Sequence, residues 1–476
     1  MGIKIVGKIE KVNGKEISYR EFVEKNVDKN QPVVLTGLME DWRASRDWVT
    51  ENGKPNFQFF ATHFGNSKVQ VADCGTIEFT DQKRVEMSVS ELVDQWLQDS
   101  IHEDGNATAG VSKDKSFLYL KDWHFVKEYP EYIAYTTPQF FCDDWLNLYL
   151  DNYRIHKDPD IYSEDNEVSC SDYRFVYIGE KGSWTPLHAD VFRSYSWSAN
   201  VCGKKHWFFL SPSQSRLVFD RNMKSSVYNI FDDVSETKFP GFKEALWLEC
   251  IQEQNEIIFV PSGWYHQVHN LEDTISINHN WFNAYNLGWV WDLLLKDYNE
   301  AKEYIEDIKD ICDDFEGLCQ RNLAANTGMN FYDFFIFLAR ICFANLVQVC
   351  HQLRDAENLV WSLPSKIRHL TLNLVSIQKV ALKMKSMEGL TRNHVLHLDF
   401  RETLDDPEFF ELCMAWEKTY GTIYNQQKCD YHLEKSLTCD IRDLDIIRTL
   451  ASQVSTPEDL VIFIDNIITK LVIPDN

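Results

Sequence analysis

The sequence predicts an α+β protein, with mixed α/β elements over residues 1–115, an antiparallel barrel or sandwich over 116–285 and helices over 286–476. Three observations carry this. Between Arg174 and Phe282, short runs of β-branched and aromatic residues follow one another, punctuated by Gly and Pro, with no long helical pattern between them. Beyond Leu287 the apolar residues recur at helical spacing. A chain of 476 residues that is 44% hydrophobic, with 30 Phe, 20 Tyr and 15 Trp, can also bury more than one core.

In chain order, Tyr19-Arg20-Glu21-Phe22-Val23 has helical spacing, and Gln31 to Leu38 reads as a buried strand begun by Pro32 and closed by Gly37. Ser88 to Leu97 is predicted as a helix, with Glu91 placed to close a capping box on Ser88. Residues 100–116, polar and rich in Gly, Asn, Asp and Lys, read as a loop, after which Phe117 to Trp123 resumes as a strand. Residues 156–172 form an acidic, Ser-rich surface insertion. Strands are then expected at Phe175–Ile178, Tyr195–Val201, His206–Leu210, Glu256–Val260, Gln267–His269 and Thr274–Trp281. Trp289 to Leu295 opens the helical region, Ala301 to Cys312 reads as a charged amphipathic helix and Phe331 to Val349 as a buried one.

The net charge of −25 disfavours nucleic acid or an anionic membrane as a direct partner, because such binding rests on clustered Lys and Arg; a basic protein surface suits it better. Charge interrupts the first ten residues before any apolar run, and the run Phe334 to Ala339 meets Arg340 too soon to span a bilayer. A soluble protein of the cytoplasm is expected, with the nucleus left open. The 12 cysteines are scattered with no Cys-x-x-Cys pair, which argues against zinc-bearing reader modules and for reduced, buried thiols.

Two strand-like tracts carry the chemistry: Trp184-Thr185-Pro186-Leu187-His188-Ala189-Asp190 and, with its histidine 76 residues after that aspartate, Pro261-Ser262-Gly263-Trp264-Tyr265-His266-Gln267-Val268. Residues two apart on a strand share a face, so His188 and Asp190 can reach one point, and His266 can join them. Two imidazoles and one carboxylate on one face of a metal leave positions open for a co-substrate and O2. His-x-Asp recurs at His102-Glu103-Asp104 and His397-Leu398-Asp399, but the first falls in the polar stretch and the second in the helical region. Only His188 lies between strand tracts. His269, three after His266, should face away from it, and His206 reads as an ordinary strand histidine.

From Pro32 to Phe282 the chain resembles the JmjC-type 2-oxoglutarate- and Fe(II)-dependent oxygenases. The resemblance rests on Pro32-Val33-Val34-Leu35-Thr36-Gly37, Trp42-Arg43-Ala44, the His188/Asp190 pair and the tract ending at His266. Tyr173 to Tyr177, Phe192 to Ser198, Asn200 to Gly203 and Ser276 to Trp281 are similar to a lysyl-hydroxylase branch of that family. The resemblance implies a double-stranded β-helix core, Fe(II) held by His188, Asp190 and His266, and 2-oxoglutarate and O2 as co-substrates. It gives Lys205, two after Gly203, the far carboxylate of 2-oxoglutarate, with Thr185 and Tyr119 adding hydrogen bonds and Asn280 approaching the other end. The glycine register favours Lys205 over Lys204. Ser198 stands where some relatives have asparagine. Because the iron supplies the oxidation, no general base is assigned.

The branch implies C4 hydroxylation of a lysine in the eukaryotic translation termination factor, release factor 1. Asp122, Asp143, Asp144 and the acidic insertion are candidate contacts for that lysine. Histone lysine demethylation, and a non-catalytic metal-binding cupin-like interaction protein, remain alternatives. The C-terminal helices are either a homodimer interface or an internal bundle.

Overall fold

The computed structural model describes residues 2–105, 117–155, 172–355, 365–385, 398–424 and 453–471. The chain divides into two compact units, one formed by Met1–Pro138 with Tyr173–Asn280, the other by Gln139–Asp172 with Trp281–Asn476.

The strands of the first unit are β1 (Lys4–Lys8), β2 (Lys11–Asn13), β3 (Val33–Thr36), β4 (Lys68–Glu78), β5 (Asp81–Ser88), β6 (Leu118–Trp123), β7 (Arg174–Gly179), β8 (Trp184–His188), β9 (Tyr195–Cys202), β10 (Lys205–Leu210), β11 (Leu246–Gln252), β12 (Glu256–Val260), β13 (Tyr265–Asn270) and β14 (Thr274–Trp281). They form a five-stranded sheet, β1-β11-β10-β13-β8, and a nine-stranded sheet, β2-β3-β12-β9-β14-β7-β6-β4-β5. From β7 onward the chain passes back and forth between the sheets: β7, β9, β12 and β14 lie in the larger, β8, β10, β11 and β13 in the smaller. That winding is the expected double-stranded β-helix.

Side-chain alternation explains how the barrel is filled. On β9, Tyr195, Trp197, Ala199 and Val201 share one face and Ser196, Ser198 and Asn200 the other, yet all eight residues of the strand are buried. On β14, Ile275 and Ile277 alternate with Thr274, Ser276, Asn278 and Asn280 in the same way. On β10, Lys205, Trp207 and Phe209 share a face. Trp207 and Phe209 pack with Val34, Ile258, Val260, Trp264 and Val268, joining both sheets in one apolar cluster. Outside the smaller sheet, Phe208, Leu210 and Trp247 pack under the 211–245 segment with Val218, Val227 and Ile230. One stretch of the interior is thus apolar and another polar.

Glycine fixes a register that matters below. Gly203, between β9 and β10, has φ of 77°, and a Cβ there would lie 2.0 Å from the Asp273 carbonyl oxygen, so only glycine makes this turn.

Several elements differ from expectation. The Ser88 capping box is present, with the Glu91 N–H donating to Ser88 Oγ at 3.2 Å, but the helix runs through Val89–Gly105, so His102-Glu103-Asp104 is helical and not looped. The long hairpin β4–β5 was not expected. In the second unit, Ala301 to Cys312 is not one helix: Leu287–Tyr304 ends before Ile305 (φ −113°, ψ 13°), and a separate turn of 3-10 helix covers Glu306–Ile311. Leu398–Asp399 forms a short strand against Gln453–Val454, while His397 and the acidic residues 156–171 lie outside the described residues.

The helix Phe331–Asp355 is the apolar core of the second unit. Its Phe331–Gln352 stretch has the length and composition to cross a membrane, more than the short run around Phe334 suggests. Most of its residues are buried within the protein, however, and Arg340 on it donates to Tyr149 Oη at 2.8 Å, as in a core helix. Nine cysteines are described, all free, and seven of them are buried.

Candidate metal centre

β8 and β13 pair antiparallel with His188 directly opposite His266, and Asp190 follows two residues after β8. Ligand atoms of His188, Asp190 and His266 all lie within 4.8 Å of one another. Each imidazole is oriented by its own strand: His188 Nδ1 lies 2.8 Å from the Pro186 carbonyl oxygen and His266 Nδ1 3.2 Å from that of Trp264. A carbonyl only accepts, so Nδ1 carries the proton and Nε2 keeps its lone pair for a metal. Burial, together with neighbouring His266, pushes the His188 pKa down to about 4, which keeps the ring in the neutral form that ligates. Asp190 Oδ2 accepts from Ser196 Oγ at 2.7 Å, which orients the carboxylate. Two nitrogens and one oxygen converging from one side are the donor set of a non-haem Fe(II) site.

β10 lies beside β13 with Phe209 opposite His266, Trp207 opposite Val268 and Lys205 opposite Asn270. Lys205 therefore enters the same interior about 13 Å of strand away from the row of the histidine. It is 2% exposed, and its Nζ donates to Tyr119 Oη at 2.9 Å. Burial, and then the charge of Lys121, push its pKa down to about 7. Lys204 instead pairs with Glu253 at 3.1 Å on the outside.

Tyr119 is opposite Gly179 on β7, and Gly179 is opposite Thr274 on β14, so Tyr119 and Thr274 face the same interior as Lys205. A Cβ at Gly179 would lie 2.5 Å from Asn270 Nδ2 and 2.7 Å from the Tyr119 ring. Asn270 Oδ1, Thr274 Oγ1 and Ser276 Oγ are buried there without a hydrogen-bond partner among the described residues. Orphaned hydroxyls beside a buried ammonium fit a bound carboxylate, and so fit 2-oxoglutarate.

Thr185 is three residues from His188, yet Thr185 pairs with Val268 while His188 pairs with His266. A register shift between His266 and Val268 supplies the odd residue, so Thr185 and His188 meet the same inward row. Asn280 Nδ2 donates to Ser194 Oγ at 3.1 Å, and Ser198 Oγ donates to Asn278 Oδ1 at 2.9 Å. Ser194, and not Ser198, is thus the hydroxyl beside Asn280. Sequence reasoning missed Ser194, Ser196, Asn270, Thr274 and Ser276. The signal for Ser196, Thr274 and Ser276 is a polar residue at every second position of β9 and β14, which Ser194 extends by one step before β9; Asn270, at the end of β13, carries no such signal.

Three other histidines on the barrel strands are engaged elsewhere. His206 Nε2 is 3.0 Å from Glu249, His269 stacks on Trp184 with ring centres 5.6 Å apart, and His279 Nε2 is 2.5 Å from Tyr135 Oη. The aspartates suggested for a substrate lysine are also committed. Asp122 holds Arg84 Nη1 at 2.6 Å and the Tyr177 hydroxyl; Asp143 accepts from Trp145 Nε1 at 3.0 Å and Tyr420 Oη at 2.9 Å; Asp144 caps a helix through the Asn147 N–H at 2.9 Å.

A barrel of this winding with a His-Asp-His centre defines a class. The family model described as a cupin-like domain matches residues 19–286, and the chain belongs to that family. Within it, the chain is a member of the JmjC oxygenases that use iron and 2-oxoglutarate. It is 40% identical over 331 residues to the 2-oxoglutarate and iron-dependent oxygenase JMJD4 of Danio rerio, covering 69% of this chain and 73% of that one. The Homo sapiens protein of the same name is 36% identical over 324 residues, 67% of this chain and 72% of that one. Arginine-specific demethylase JMJ20 of Arabidopsis thaliana is 58% identical over 467 residues, 98% of each chain.

Proposed function

We propose that this chain is a protein hydroxylase that places a hydroxyl on C4 of a lysine in release factor 1, using Fe(II) held by His188, Asp190 and His266. The observation that carries the oxygenase part is the three-ligand centre facing, in one interior, the buried Lys205–Tyr119 pair and its orphaned hydroxyls. The lysine and the termination factor are supported by the similarity of Tyr173 to Tyr177, Phe192 to Ser198 and Ser276 to Trp281 to a lysyl-hydroxylase branch. A substrate of that kind supports a cytoplasmic location, with the nucleus left open.

Iron with 2-oxoglutarate and O2 supplies the C–H oxidation, so the protein's task is to bind, orient and exclude water. His188 and His266 present their Nε2 atoms, Asp190 presents a carboxylate oxygen, and Ser196 fixes that carboxylate. Lys205, Tyr119 and Thr185 hold the far carboxylate of 2-oxoglutarate, while Asn280 with Ser194 lines the other end. The cluster of Trp207, Phe209, Trp264 and Val268 keeps the wall behind His266 dry.

A second reading, removal of a methyl group from an arginine, is favoured by the Arabidopsis thaliana relative, whose name says so of that protein. Both reactions oxidise a carbon of a basic side chain. Incubating the protein with Fe(II), 2-oxoglutarate and either release factor 1 or methylarginine peptides, then mapping peptides by mass, separates them. One added oxygen on a lysine supports the proposal; loss of a methylene from arginine, with lysines unchanged, replaces it with the second reading.

A further inference from the structure

The interior holds a cation that the roles above do not use. Lys121 stands two residues after Tyr119 on β6, so both side chains leave the same face of the strand. It is 3% exposed, as buried as Lys205. Its Nζ lies 5.0 Å from the centre of the Tyr119 ring and that of Lys205 lies 5.5 Å from the same centre, so two ammonium groups flank one phenol.

Among the described residues neither pairs with a carboxylate. Lys121 donates to Gln82 Oε1 at 2.8 Å, and Gln82 donates in turn to the Trp184 carbonyl at 3.0 Å, so a neutral amide holds the ammonium. Lys205 donates to a phenol. The nearby carboxylate of Asp122 is taken by Arg84 and Tyr177. Burial pushes Lys121 down to about 8, and Arg84 adds to the effect. Lys121 also bears on Lys205, where after burial it is the remaining cause of that residue's lowered pKa.

A buried lysine that serves only structure is normally paired with a carboxylate, because an unpaired buried ammonium is costly. Gln82 would be held as well by an uncharged donor. Two ammonium groups with no carboxylate partner among the described residues, in the interior that also holds the orphaned hydroxyls of Thr274 and Ser276, therefore mark a place where an anion arrives. The co-substrate's far carboxylate is the anion this interior admits.

We propose that Lys121 is a second cationic contact for the far carboxylate of 2-oxoglutarate, and that with Lys205 it makes the site select a dicarboxylate over 2-oxo acids lacking that group. This rests on reading the cavity as the co-substrate site. Lys121 reaches the carboxylate from the β6 side and Lys205 from the β10 side. Gln82, on the β5 edge of the larger sheet, is the residue that positions Lys121.

The test is equilibrium binding by calorimetry to the full chain loaded with Fe(II) without oxygen, comparing 2-oxoglutarate with 2-oxopentanoate, which carries a methyl in place of the far carboxylate. Lys121→Met should weaken 2-oxoglutarate by about 10- to 100-fold, the loss of a charge-assisted contact, and leave 2-oxopentanoate unchanged. Equal weakening of both acids, or of neither, overturns the assignment, since a structural lysine would not distinguish them. Lys121→Gln, which keeps a donor for Gln82, gives the same comparison if the methionine variant does not fold. A wild-type chain that binds neither acid overturns the reading of the cavity and the clamp together. A wild-type chain that binds both acids equally overturns the selectivity while sparing that reading.

Discussion

Replacing Lys205 by methionine should make the protein more stable and a worse enzyme at once. Burial and Lys121 lower its pKa from the ordinary 10.5 to about 7, a difference of about 5 kcal/mol against the charged form. Losing the donor to Tyr119 Oη returns about 1 kcal/mol, and local water entry in the ligand-free cavity reduces the gain further. A net stabilisation of about 1 to 3 kcal/mol of the protein without co-substrate is expected near pH 7, seen as a rise of several degrees in Tm. The sign with pH follows from proton binding. The folded state binds fewer protons than the unfolded state between pH 7 and 10.5, so wild-type stability recovers as pH rises through that window. The advantage of Lys205→Met should be full below pH 7 and fade toward pH 10.5. Scanning calorimetry of wild type and variant at pH 7 and pH 9.5, beside 2-oxoglutarate titrations of each, measures both halves. A variant that is less stable at pH 7, or whose advantage does not shrink with pH, refutes the idea of an unpaired ammonium kept for a ligand.

Four further outcomes are expected. Wild-type affinity for 2-oxoglutarate should fall as pH rises from 7 to 9, because Lys205 and Lys121 must be protonated to pair and the free protein releases those protons near 7 and 8; a flat profile by calorimetry would count against both contacts. Ser196→Ala removes the donor to Asp190 and should weaken Fe(II) binding by about 10-fold in competition with a chelating dye, whereas unchanged affinity would mean the serine does not orient the ligand. Gly179→Ala puts a methyl against Asn270 and Tyr119 and should cut 2-oxoglutarate affinity more than Fe(II) affinity; equal losses would signal general disruption. Gly203→Ala forces a Cβ against the Asp273 carbonyl at positive φ, and a loss of about 2 kcal/mol or more is expected from urea unfolding. A midpoint equal to wild type would show that the turn relaxes.

The parts of the site legible in the sequence were those set by short-range geometry. His188 and Asp190 share a strand face at a spacing of two, whereas Lys205, two after Gly203, came from the family resemblance, and the turn at Gly203 (φ 77°) is the geometry behind that spacing. Other parts were hidden by what alternation means. On β9, Ser196, Ser198 and Asn200 between Trp197, Ala199 and Val201 resemble a strand with one wet face, but both faces are buried and the polar one lines the cavity. Asn270 and Thr274 gain meaning only through pairing with Lys205 and Gly179, which are distant in the chain. The β4–β5 hairpin escaped notice because its strands carry Lys, Gln, Asp and Glu, and its turn holds Phe79 at φ of 54° where Asn or Gly would be the usual sign. Asp122, Asp143 and Asp144 each hold donors within the protein, some as distant in the chain as Tyr420 from Asp143, and no spacing rule reveals those partners. Ile305 broke a helix whose charged pattern suggested continuity.

One experiment tests the lysyl-hydroxylase proposal most directly. The purified protein, with Fe(II), 2-oxoglutarate, O2 and release factor 1, should release succinate in step with the gain of one oxygen atom on a lysine C4, and His266→Ala should abolish both. Succinate formed with no lysine oxidised, or lysine oxidation that persists in His266→Ala, would contradict it.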